Sequence, residues 1–118
     1  MIERYNDAFR GLDVAVLNHF GANHQSSGHL YIVRLLGRTR EETNRVIELM
    51  AERGVATNVH YKPLPMMTAY KKLGFDIKDF PNAYHQFENE ITLPLNTKMT
   101  DEDLDYVIEN FRDIVSSL

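Results

Sequence analysis

The chain has 118 residues, 43% hydrophobic and 25% charged, with a formal net charge of −4. That length supports one domain with a modest core, and the thirteen basic residues are scattered, which argues against a nucleic-acid surface built on clustered Lys and Arg. The absence of cysteine removes disulfides, thiolate nucleophiles and cysteine-based zinc sites together, and with no run of membrane-spanning length and no signal-peptide stretch in Met1 to Arg10 the chain reads as cytoplasmic.

Ile2, Tyr5, Phe9 and Leu12 recur at helical spacing and predict a helix over Met1 to Arg10. No Ser, Thr, Asp or Asn precedes it as a cap. A helix this short is marginal unless it packs, which reads as a chain that begins partway along a longer helix. Gly11 to Gly28 is polar and irregular apart from a possible short strand in "DVAVL". "HLYIVRLLG", His29 to Gly37, has the β-branched and aromatic content of a strand. A helix follows over Arg40 to Arg53: Thr39 and Glu42 have capping-box spacing, Thr43, Val46, Ile47 and Met50 share a face, and Gly54 suits a left-handed stop. "VATNV", Val55 to Val59, reads as a second strand. "MMTAYKKLG" reads as a short helix ending at Gly74, and Pro81 opens another over Asn82 to Asn89. "ITLPL" is a third strand, with Pro94 marking its end or an edge. In the last helix Thr100 is the cap, the following acids suit the N-terminal dipole, and Leu104, Val107, Ile108, Phe111 and Val115 form one stripe.

The order α-β-α-β-α-α-β-α has too little strand for a doubly wound sheet. It predicts an α+β fold, a small, mostly antiparallel sheet covered on one face by helices as a two-layer sandwich.

No pair among His19, His24, His29, His60 and His85 has helical metal-ligand spacing, so no metal site is expected. Ser26 and Ser27 lack a nucleophile elbow, and "GANHQSSG" carries neither phosphate-binding signature. The acidic run Asp101 to Asp105 sits where helix N-terminal acids belong. That leaves His60, Tyr61 and Lys62. An apolar run stops abruptly at an imidazole, a phenol and an ammonium, all able to donate hydrogen bonds, and Pro63 and Pro65 stiffen the chain behind them. A polar strand end and a ligand-facing loop both fit these residues. Nothing near Lys62 promises the burial or cationic neighbour that a Schiff-base lysine needs.

Three stretches, "SSGHLYIVRL", "ERGVATNVHYKPLPMMTAYKKLG" and "DFPNAYHQFENEITLPLNTKMTDEDLDYVIENF", resemble in order the C-terminal domain of the DegT/DnrJ/StrS-type sugar aminotransferases. The resemblance runs from about Glu3 to Val115, and "ERYNDAF" resembles the end of the family's interdomain helix. It implies residues 1–10 as the end of that linker helix and residues 11–118 as the small domain of a fold-type I enzyme dependent on pyridoxal phosphate (PLP). Such enzymes usually move an amino group from glutamate to a nucleotide-linked keto-sugar, for cell-surface polysaccharide, glycan or antibiotic sugars, and work as homodimers.

The resemblance places the Schiff-base lysine and most cofactor contacts in an N-terminal domain absent from this sequence, since Lys62, Lys71, Lys72, Lys78 and Lys98 match no family lysine motif. No catalytic or cofactor-binding residue is therefore expected here, and the chain alone is expected to be inactive. His60, Tyr61 and Lys62, with His29, are the candidate substrate neighbours. Pro65 stands where relatives often keep a second histidine. The rival expectation is a stand-alone, non-catalytic α+β module for ligand binding or protein interaction.

Overall fold

Three antiparallel strands organise the chain, in the order β1 (Val14–Val16), β4 (Tyr31–Leu35), β5 (Glu90–Leu93). The computed structural model describes all residues, 1–118. The register pairs Val14 with Leu35 and Val16 with Val33 on one side of β4, and Tyr31 with Leu93 and Val33 with Ile91 on the other. Because strand side chains alternate between faces, Tyr31, Val33, Leu35, Ile91 and Leu93 all point one way and are buried. Helices α1 (Ile2–Ala8), α2 (Arg40–Glu52) and α5 (Asp101–Ser116) supply the opposing side chains, among them Tyr5, Val46, Met50, Leu104 and Phe111. This is the expected α+β two-layer sandwich.

The predicted caps form. Thr39 accepts from the Glu42 backbone and Glu42 returns the bond; Thr100 and Asp103 make the same reciprocal pair at α5. Gly54 ends α2 with a φ of 75°, a left-handed value. Helix α1 has no side-chain cap and is held by packing: in the core Tyr5 stacks on Tyr31 and Phe9 meets Phe111 at a tilt.

Three expectations are corrected. Val55 to Val59 is not a strand but an extended segment with a single bridge, Asn58 to Thr92. The ladder stops there because the next donor in register, His60 N–H, goes to the Glu90 carboxylate, while Val59 N–H donates to the Asn58 side chain. The sheet's third strand is instead β1, inside "DVAVL". A hairpin of two-residue strands, β2 (Phe20–Gly21) and β3 (His24–Gln25), occupies the stretch read as irregular. Finally, α4 (Pro81–Phe87) ends short of Asn89, because the Asn89 carbonyl accepts from Leu35 N–H and its side chain from Arg34, drawing it into the sheet.

Between Val55 and Ile91 no residue joins the hydrophobic core. This arm holds a 3₁₀ turn (Leu64–Met66), helix α3 (Thr68–Lys72), a second 3₁₀ turn (Ile77–Asp79) and α4. The radius of gyration, 15.4 Å, exceeds the roughly 13.5 Å of a compact chain of this length, as a projecting arm requires.

Candidate functional site

The alternation that buries Ile91 and Leu93 turns Glu90 and Thr92 to the opposite face, beside their cross-strand partners Arg34 and Ile32. Helix α4 lies over one end of that face. Between them is a cavity of about 330 Å³ whose lining includes Ala15, Arg34, His60, Tyr61, Phe87 and Glu90. A second cavity of about 280 Å³ is lined in part by His29, Thr57, Asn58, His60 and Thr92. His60 borders both.

His60 is fixed at two points. Its backbone N–H donates to both oxygens of Glu90, at 3.1 and 3.3 Å, and its Nδ1 lies 2.9 Å from Thr92 Oγ1. Thr92 in turn donates to Glu90 Oε1 at 2.8 Å. Glu90 and Thr92 are both buried, so little water competes for these bonds, and each is stronger for it. The His60–Tyr61 peptide is cis, and the two rings meet edge-on, 4.7 Å apart. Arg34 is held against the wall by bonds to the Asn89 side chain and the His85 carbonyl. Behind it, Arg40 donates to the carbonyls of Phe87 and Glu90 and lies over the Phe87 ring. Burial lowers its pKa from the ordinary value, and the nearby Glu90 charge opposes that shift. The buried Thr57 hydroxyl has no protein partner and borders the second cavity.

Of the residues singled out from sequence, His60 and Tyr61 share the first cavity and His29 and His60 the second. Lys62 is exposed and lines neither. Glu90, Thr92 and Arg34 were missed. Their signal was present in "ENEITLPL": two polar side chains two residues apart on one face of a strand whose other face is apolar.

PLP needs a lysine whose amine is desolvated or flanked by another cation. All five lysines of the chain are exposed and none borders either cavity. These residues alone do not make a PLP site.

Residues 1–112 match the model of the DegT/DnrJ/EryC1/StrS aminotransferase family. The chain belongs to that family. Among its relatives, the spore coat polysaccharide biosynthesis protein SpsC of Bacillus subtilis is 33% identical over 95% of this chain, which covers 30% of that protein. A UDP-4-amino-4,6-dideoxy-N-acetyl-β-L-altrosamine transaminase of Campylobacter jejuni is 29% identical over 80% of the chain and is covered over 25% of its length. Among solved structures, the putative sugar aminotransferase Spr1654 of Streptococcus pneumoniae in its PMP form superposes with a TM-score of 0.95 at 50% identity, over 98% of this chain and 29% of its own. The chain thus spans less than a third of the length of these family members.

Proposed function

We propose that the chain is the C-terminal small domain of a PLP-dependent aminotransferase that transfers an amino group, from glutamate, to a nucleotide-linked keto-sugar for cell-surface polysaccharide or glycan synthesis. Residues 1–10 are then the end of an interdomain helix and residues 11–118 the domain. The observation that carries this reading is the match of nearly the whole chain to under a third of a sugar aminotransferase at 50% identity. The cleft chemistry agrees with it: a polar wall around His60 beside exposed apolar surface.

In this reading PLP, held by lysine on the larger domain of a homodimeric enzyme, supplies the electron sink for amino transfer. The residues of this chain close one wall of the cleft. His60, clamped by Glu90 and Thr92, and the exposed Tyr61 phenol hydrogen-bond sugar hydroxyls. His29 contributes from the second cavity. Lys62, outside both cavities, offers its charge to the anionic nucleotide at longer range.

The test is a chimera in which this chain replaces the matching portion of the Streptococcus enzyme. Glutamate-dependent amination of a nucleotide-linked keto-sugar is expected, and His60→Ala should raise KM about tenfold, the equivalent of one hydrogen bond of roughly 1.4 kcal/mol. After removal of unbound PLP, the 118-residue chain alone should retain no PLP absorbance band. A band abolished by borohydride and mapped to Lys62 would overturn the assignment of the lysine to another domain.

A further inference from the structure

One hydroxyl proton decides the state of the His60 ring. Thr92 has a single O–H, and its Oγ1 lies within hydrogen-bond distance of both Glu90 Oε1, at 2.8 Å, and His60 Nδ1, at 2.9 Å. A carboxylate only accepts, so the Thr92 proton is committed to Glu90. The remaining lone pairs of Thr92 can then only accept, and Nδ1 must carry a hydrogen to give. The carboxylate end of the chain is anchored by the His60 backbone N–H, which reaches both of its oxygens. Both relay residues are about 5% exposed, which protects the direction of the relay from exchange with water.

We propose that Glu90 and Thr92 act as positioning residues that hold neutral His60 as its Nδ1–H tautomer, so that the lone pair of Nε2 faces ligand as a hydrogen-bond acceptor. Nε2 has no partner within the chain and is not a buried orphan, so it is open to a ligand. The bond made by one ring nitrogen sets the role of the other. In that tautomer the group recognised is a donor, such as a sugar hydroxyl or an amine. This reverses the role expected from sequence, where His60 counted as a donor. The consequence for ligand choice rests on the ligand-facing reading of His60 given above; the tautomer does not.

Long-range ¹H–¹⁵N correlation spectra of the histidine-labelled 118-residue chain read the tautomer directly, and loss of signals in His60→Gln identifies the ring. With the ring neutral, wild type should show a protonated Nδ1 and an unprotonated Nε2. Thr92→Val, which keeps the shape and removes the hydroxyl, should release the ring towards the Nε2–H form, and Thr92→Ser should restore the wild-type pattern. Circular dichroism checks that each variant folds, and if Thr92→Val does not, the wild-type spectrum decides alone. A wild-type ring in the Nε2–H form, as a protonated Glu90 running the relay backwards would give, overturns the proposal. So does a folded Thr92→Val with an unchanged spectrum. Failure of the aminotransferase reading would leave these spectra as they are, and a wrong tautomer would leave the amination assay of the chimera untouched.

Discussion

Tyr5 and Tyr31 stack at 4.6 Å in the centre of the core, and each keeps its phenol paired: Tyr5 donates to the Pro94 carbonyl and Tyr31 to the Asn6 side chain, both at 2.7 Å. Burial raises both phenol pKa values above the ordinary 10, and for Tyr5 the neighbouring Tyr31 charge adds to it. The folded chain therefore holds these phenols neutral while the unfolded chain would release their protons. The sign follows: this stability is fully present below pH 10 and is lost as pH rises above it. Alkaline titration should show a step of tyrosinate absorbance coinciding with the loss of circular dichroism. Tyr31→Phe, which keeps the ring and strands Asn6, should cost about 1 kcal/mol at neutral pH. Ionisation of all six tyrosines well before unfolding would contradict this account. At the same scale the sequence was only half legible. His60 and Tyr61 stood out because polar groups ended an apolar run. Glu90 and Thr92 did not, because a strand with one polar face reads as solvated until a loop is seen to cover it.

Among the elements, the helices whose ends carry their own chemistry were the ones read most directly. In α2 and α5 the caps, the stripes and, for α2, the stop residue all point to the same boundaries, and the structure has them. The carboxyls of Glu42 and Asp103 are held below the ordinary range, chiefly by the backbone N–H groups of Thr39 and Thr100. A depressed pKa gives stability that is present above the ordinary values of 4.5 and 3.8 and disappears as pH falls through the folded ones. In urea titrations Thr39→Ala should lose about 1 kcal/mol. The gap between wild type and Glu42→Gln should close as the solution is acidified; a gap that stays constant with pH would refute the linkage. Strands were less legible. Val55 to Val59 has strand composition, yet pairing depends on where the neighbours' donors go, and those of Val59 and His60 go to side chains. Val14–Val16 is an equally short apolar run that does find a partner, in β4. Nothing local separates the two.

For the molecule as a whole, the notable division is between a core that ends at Val55 and resumes at Ile91 and an arm that carries its apolar side chains outward. Leu73 is 73% exposed and Tyr61 70%, with Leu64, Phe75 and Phe80 also exposed along the same arm. Apolar surface gathered in one segment marks a contact face, and under the proposed function its occupant is the larger domain of the aminotransferase. The isolated chain should then self-associate with rising concentration in sedimentation experiments and bind an apolar dye. Leu64→Glu with Leu73→Glu should suppress both without unfolding it, since neither side chain is in the core. A wild-type chain that stays monomeric and dye-free would favour the stand-alone module instead. The two-layer plan was visible from the order of elements, whereas the outward arm was not, because its Met, Tyr, Leu and Phe content is that of a core segment.

The separation of arm from core also bears on how such a sequence can change over generations. Substitutions between Lys62 and Phe80 alter the outward face of the arm while leaving the sandwich beneath with its full set of buried partners. Most substitutions destabilise, chiefly through packing. In this segment that toll is small, so the outward face can be refitted to a changed contact without first acquiring compensating changes in the scaffold.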